Sequence, residues 1–320
     1  MEARNLNPFT RAPGEWPLVL AGRAHAMERL KLAIGRVSSQ RQSDVIYLHG
    51  PPGTGRTALL RAFLSAAAMR KLEPVTVDET DGMMAFDEPG ARAFVADDLD
   101  GWRFPERFIE RARKTRQRGT TIAVVATGIS VMREHDHIAY DENQVQLPLL
   151  TDEQATQVLV RTAATTHHTW EPNALERIVA TSVGYPDILQ NIAFLAWFNA
   201  QRVGTSEIAD AHVLAAEASM PLANHFAKKR DAISAATRFR GAADTYMVFG
   251  RADEPLSIEE IAERANKRPL ATDALGRLVN GLVDGGFVYR TGDGNAARYQ
   301  LADNRAGDAI RAVKPFGRWR

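Results

Sequence analysis

The 320-residue sequence predicts an α/β fold in which a parallel sheet is flanked by helices and followed by a helical segment and a smaller mixed unit. Three observations predict it. Gly50-Pro51-Pro52-Gly53-Thr54-Gly55-Arg56-Thr57 joins an apolar strand pattern to a helical one. Short apolar runs alternate with helical stretches from residue 74 onward, and from Thr151 to about residue 220 the chain reads as helices.

Asp44-Val45-Ile46-Tyr47-Leu48-His49 reads as a buried strand, and Thr57 to Leu64 opens a helix with apolar residues at helical spacing. The loop between them follows Gly-x-x-x-x-Gly-Lys-[Ser/Thr] in all but one letter. That pattern works because small residues let successive backbone N–H groups wrap a phosphate, the lysine reaches its outer oxygens, and the hydroxyl holds Mg²⁺. Both glycines and Thr57 are present, and Arg56 stands where the lysine belongs. Gly50, Pro51, Pro52, Gly53, Thr54, Gly55, Arg56, Thr57 and Ala58 are therefore the candidate phosphate-binding residues. Strand, glycine loop and helix is the geometry that aims a helix N-terminus at an anion.

The remaining strand candidates are Pro74 to Asp78, Arg92 to Ala96, Thr121 to Ala126 and Gln144 to Leu150. Ligands of such sheets sit at the carboxyl ends of the strands, so His49/Gly50, Asp97/Asp98 and Thr127 are expected to converge. An apolar strand finishing in an acid suits Mg²⁺, which makes Asp97 the metal candidate beside Thr57. Asp98 takes the place of a water-activating acid, and the Thr127 hydroxyl is a candidate to orient that water or the γ-phosphate. The alternative is that these are merely polar strand ends.

Composition leaves an ordinary globular chain, 45% apolar and 25% charged. No apolar run approaches a membrane span, and the first residues lack a hydrophobic targeting core, so a cytoplasmic protein without a membrane partner is expected. The absence of cysteine excludes disulfides, thiolate catalysis and thiolate-bound metal. Charge is uneven. Residues 1–220 carry 23 Lys and Arg against 27 Asp and Glu, whereas residues 221–320 carry 17 against 12, which favours an anionic partner at the C-terminal end.

Gly50 to Thr57, Asp97-Asp98 and Thr127, in that order, resemble the AAA+ superfamily. Leu20-Ala21-Gly22-Arg23 is similar to the segment that lines the adenine pocket in origin-recognition-type and STAND-type ATPases, which implies a nucleotide-binding role for Gly22 and Arg23. Gly184-Tyr185-Pro186 resembles the start of the lid helix of bacterial and archaeal members, and implies the same for Tyr185 and Pro186. Asn7-Pro8-Phe9 and Phe226 to Arg230 are similar to segments of the same bacterial set. The resemblance implies ATP and Mg²⁺ as cofactors, self-association, and an arginine lent by one subunit to the phosphate of the next, for which Arg133 is the candidate. Departures are Arg56 for lysine, Asp98 for glutamate, and Asp187 where many relatives carry arginine. Few residues separate Asp78 from Arg92, and they include Gly82, Pro89 and Gly90, so the helix usual there is shortened or absent.

Thr151-Asp152-Glu153-Gln154 is a capping box opening a helix to about Thr162, Pro172 starts the next, and Ile188, Ile192 and Leu195 mark a third. His167-His168 reads as a solvated loop, since adjacent histidines cannot both face one ion from a regular element. Arg107, Arg111, Arg113, Lys114, Arg116 and Arg118 crowd one helix, either as a solvated face or as a subunit or DNA contact.

After about residue 221 a second capping box, Ser257-Ile258-Glu259-Glu260, precedes the Asn266 to Pro269 turn. A helix follows with Leu270, Ala274, Leu275, Leu278, Val279 and Leu282 on its apolar stripe. Phe287 to Arg290 and Ala297 to Leu301 then pair across Gly292 to Asn295. This arrangement resembles a winged-helix domain. Lys267, Arg268, Arg277, Arg290, Arg298 and Arg318 are its candidate nucleic-acid contacts. Such folds also dock proteins.

The expectation is three units, a nucleotide-binding core at 1–150, a helical lid at 151–220 and a winged helix at 221–320, forming an ATP hydrolase weakened at Arg56 that couples nucleotide state to oligomerisation and to DNA or a separate effector chain. The competing expectation is a non-hydrolysing scaffold whose winged helix docks a protein.

Overall fold

The structure, a computed structural model, describes residues 7–10, 17–40, 43–50, 52–78, 92–99, 102, 107, 108, 110–112, 114, 122–128, 144–220, 245, 248, 249, 252, 254–265, 272–284, 288–291 and 296–301.

The first half is a five-stranded parallel sheet. Helix α1 (Ala24–Gln40) leads into β1 (Asp44–His49), which runs through the glycine loop into α2 (Arg56–Met69). Strands β2 (Glu73–Val77), β3 (Arg92–Ala96), β4 (Ile122–Gly128) and β5 (Gln144–Gln146) complete it in the order β2-β3-β4-β1-β5. Register sets the site. His49 lies beside Gly128, Leu48 beside Thr127, and Ala96 beside Ala126, so the chain leaves β1, β3 and β4 at one level.

The sheet sits between two apolar layers. Leu30, Ile34 and Val37 of α1 and Leu59, Phe63 and Ala67 of α2 pack on Ile46, Leu48 and Val95. Tyr47, Phe94, Leu99 and Phe108 fill the other face. Burying each of the larger side chains contributes roughly 1.5–3 kcal/mol, which holds the strand ends rigid enough to carry a site.

Two strand expectations shift. β4 runs on through Thr127 and Gly128 as ladder residues. β5 stops at Gln146, because Pro148 has no N–H to donate and restricts the residue before it. Leu147 still donates to the His49 carbonyl at 2.7 Å.

The helical segment follows as expected. Thr151 caps α3 (Asp152–Ala164), its hydroxyl accepting from Gln154 N while Gln154 Oε1 accepts from Thr151 N. Pro172 stands in the first turn of α4 (Pro172–Ser182), where its missing N–H costs nothing. Helices α5 (Pro186–Val203) and α6 (Asp210–Ser219) complete the bundle, and the short strands β6 (Thr169–Trp170) and β7 (Glu207–Ile208) run parallel beneath it. Arg177 grips the Asp210 carboxylate with two nitrogens, at 2.5 and 3.1 Å. His167 is exposed, but His168 is buried, contrary to the solvated loop expected for both. Its Nδ1 meets the Thr166 carbonyl at 2.8 Å, its Nε2 meets Gln201, and its ring lies 5.3 Å from that of Trp197.

Towards the C-terminus, α7 (Ile258–Ala265), α8 (Thr272–Asp284) and the antiparallel pair β8 (Val288–Thr291) and β9 (Arg298–Leu301) are described. Ser257 and Glu260 form the expected reciprocal cap at 2.6 and 3.2 Å. Leu275, Leu278, Val279 and Leu282 are buried, and with Tyr299 and Leu301 they join the same apolar cluster as the helices of residues 152–219. No helix among the described residues is long and apolar enough to cross a membrane.

Candidate functional site

The glycine loop is built as its sequence demands. Gly53 and Gly55 take φ of 88° and 92°, a region closed to most side chains, and a Cβ on Gly50 would lie 2.5 Å from the Leu147 carbonyl oxygen. Gly55 is the N-cap of α2 and gives no side-chain cap, so the first N–H groups of that helix face the loop.

Beneath the loop three strand ends meet. Thr57 donates its hydroxyl to Asp97 Oδ2 at 2.6 Å, and Thr127 donates to Asp97 Oδ1 at 2.5 Å, so a hydroxyl fixes each carboxylate oxygen. Thr127 also accepts the Asp98 N–H at 2.8 Å. Thr127, expected to orient a water or a γ-phosphate, is fully buried here, and its hydroxyl proton is directed at Asp97.

Asp98 sits at φ 52°, in left-handed backbone that a non-glycine residue adopts at a cost. Its carboxylate is exposed and accepts from Arg56 Nη2 at 3.2 Å. Arg56 Nη1 is buried without a hydrogen-bond partner among the described residues.

Arg23 lines the cleft and also binds backbone. It is buried, and its guanidinium donates four times to backbone carbonyls: twice to Thr54 at 3.3 and 3.0 Å, once to Gly22 at 3.0 Å and once to Pro148 at 2.9 Å. Burial lowers its pKa to about 10, so it remains a cation at neutral pH. Three of these bonds tie the glycine loop to the strand β5 exit.

The loop opens into a cleft of about 420 Å³. Its phosphate half is Pro52 to Ala58, with Asp187 opposite, whose N–H donates to the Gly53 carbonyl at 3.3 Å. Its other half is apolar, formed by Pro17, Val19, Leu20, Leu150, Val158 and Leu189. Pro186 lines it as expected. Tyr185 does not, because its ring packs in the apolar cluster of the helices of residues 152–219, and Gly22 lies outside the lining. Thr10, Gln190 and Asn191 were missed. Thr10 donates its N–H to Gln190 Oε1 at 3.1 Å, Asn7 donates to the Phe194 carbonyl at 2.9 Å, and Phe9 is buried edge-on to Trp170. Asn7-Pro8-Phe9 is thus a strap on α5, a role that no local periodicity announces. Pro51, Arg133, Lys267, Arg268 and Arg318 lie outside the described residues, as do Arg113, Arg116 and Arg118.

The residues present fit a Mg-nucleotide. A hydroxyl and a carboxylate in contact form a hard-oxygen donor set, the glycine cradle excludes a Cβ, and a buried guanidinium nitrogen lacks a partner beside it.

Residues 19–126 match the AAA ATPase domain family. No curated protein matches the chain. Among solved structures the chain is similar to the Aeropyrum pernix Orc1 protein in complex with DNA, at 17% identity and a TM-score of 0.54, over 92% of this chain and 93% of that one. It is also similar to the Thermotoga maritima RuvB Holliday junction branch migration motor, at 17% identity and a TM-score of 0.53, over 92% and 96% of the two chains. Drosophila ORC bound to DNA gives 14% identity and a TM-score of 0.50, over 93% and 88%. These likenesses show the α/β P-loop fold of AAA+ proteins around the AAA domain. Gly50 to Thr57, Asp97 and the β4 strand up to Ala126 fall inside the AAA match, whereas Thr127 and the helices of residues 152–219 lie beyond it.

Proposed function

We propose that this chain is an AAA+, STAND-like nucleotide switch, with a core at 1–150, a lid at 151–220 and a winged helix at 221–320. It binds Mg·ATP between core and lid, hydrolyses it slowly, and couples nucleotide state to oligomerisation and to DNA or a partner protein. The observation that carries this reading is the Asp97 carboxylate, held by Thr57 and Thr127 under a glycine loop that faces α5 across a cleft.

Thr57 and Asp97 would hold Mg²⁺, which would supply positive charge against the phosphates. The chain's own work is otherwise positional. Backbone N–H groups of residues 53–57 and the α2 N-terminus bind the phosphates, Arg56 supplies a cation, and the apolar half of the cleft takes the base. Guanidinium is planar and longer than an ammonium, so it neutralises a bound triphosphate better than it follows one into a transition state. Turnover below the usual range of roughly 1–100 s⁻¹ by about tenfold is expected, with Arg56→Lys equal or faster. Phosphate release measured on both proteins tests this, with light scattering on the same samples to detect larger species with a non-hydrolysable ATP analogue. Absent phosphate release together with retained nucleotide binding would favour the scaffold reading, which the Arg56–Asp98 contact also suits.

The C-terminal helices and hairpin support a winged helix, and two of the similar structures contain DNA. Arg277 and Arg290 are exposed, but Arg298 is engaged by Glu260 at 2.6 Å and is the weaker phosphate contact. Duplex affinity of the full chain is expected to fall roughly tenfold or more between 50 and 200 mM salt, and Arg290→Ala to reduce the log–log slope by about 0.9. Anisotropy titrations showing no binding at low salt would move this unit to protein docking.

A further inference from the structure

Arg56 and Asp98 are two of the three departures named above, and they touch. The guanidinium Nη2 lies 3.2 Å from Asp98 Oδ1, while Nη1 is buried without a partner among the described residues. Arginine places its terminal nitrogens about one bond further from the backbone than lysine, and aspartate holds its oxygens about one bond nearer than glutamate. The two changes cancel in reach. The backbone gives the reason for the shorter acid: at φ 52° Asp98 occupies left-handed space, where Asp and Asn are several-fold favoured over longer side chains. Its N–H is pinned there by Thr127, so the acid cannot move toward a shorter cation.

We propose that Arg56 and Asp98 are a length-matched latch, in which the carboxylate holds the phosphate-loop cation and gives it up to an incoming triphosphate. The inference rests on reading Gly50–Thr57 as a nucleotide site. Binding then has two consequences: the guanidinium is drawn from Asp98 to phosphate oxygens, and Asp98 is released to face the cleft. The carboxylate therefore competes with the nucleotide, and its effect on affinity exists only while a cation of matching length stands at position 56.

The test is a titration of the full chain with a fluorescent ATP analogue in Mg²⁺, on five proteins: wild type, Asp98→Asn, Arg56→Lys, Arg56→Lys/Asp98→Asn and Arg56→Lys/Asp98→Glu. Asn suits left-handed backbone as well as Asp does, so the Asn variants retain the fold, and thermal melts verify it. Asp98→Asn is expected to tighten binding by roughly threefold or more, the size of one partly exposed ion pair. In the Arg56→Lys background the same change is expected to do little, because the lysine falls a bond short, whereas Asp98→Glu there weakens binding again by restoring the pair. Equal effects of Asp98→Asn in both backgrounds, or no effect in the wild type, would overturn the latch and leave the nucleotide site standing. A wild type that does not bind the analogue would overturn the nucleotide reading itself, and the latch with it.

Discussion

Asp97→Ala is expected to abolish the Mg²⁺ dependence of nucleotide binding and to lower affinity in Mg²⁺ by roughly tenfold to a hundredfold, the range observed when a metal ligand or its support is removed. Two hydroxyls make the effect large. Thr57 and Thr127 both donate to this carboxylate, so under the proposed function its loss would remove a metal ligand and the acceptor that orients another. Thr127 is fully buried, and an unsatisfied hydroxyl there costs a further 1–3 kcal/mol or so of stability. Asp97→Asn separates the two losses, since its amide oxygen still accepts one of the hydroxyls while the charge is gone. Titration with and without EDTA reads the metal dependence, and urea unfolding reads the stability. A variant that binds ATP with undiminished Mg²⁺ dependence would remove Asp97 from the site.

Arg23→Met is expected to destabilise the core by roughly 3 kcal/mol, although the side chain touches no acid among the described residues. Its guanidinium satisfies the carbonyls of Thr54, Gly22 and Pro148, which water cannot reach once the thioether fills the space. Because Thr54 belongs to the glycine loop, nucleotide affinity is expected to fall with stability. Arg23→Lys keeps the charge but has no planar fork to span three carbonyls, so an intermediate loss is expected. Denaturant unfolding with an intrinsic fluorescence readout measures it, and a midpoint unchanged in Arg23→Met would show that the loop holds its curl without this strut.

The sequence by itself determined the local pieces. The P-loop declared itself through Gly50, Gly55 and a terminal hydroxyl at fixed spacing, of which Gly55 takes positive φ. The capping boxes at Thr151 and Ser257 are likewise local hydrogen-bond exchanges, and both formed as read. Strand ends carrying Asp97 and Thr127 were legible because apolar runs must stop where the sheet meets water. What each polar group touches was decided by the tertiary structure alone. The sequence offered Arg23 and Tyr185 as nucleotide contacts, and the fold holds one on backbone carbonyls and packs the other among the helices of residues 152–219. It offered Thr127 beside the acids, and the fold gives its hydroxyl Asp97 as acceptor. The Asn7–Thr10 strap and the Arg56–Asp98 contact join residues far apart in the chain, through bonds whose partners no periodicity specifies. Local rules fix which backbone forms; only packing fixes which of several equally polar neighbours a buried side chain must satisfy.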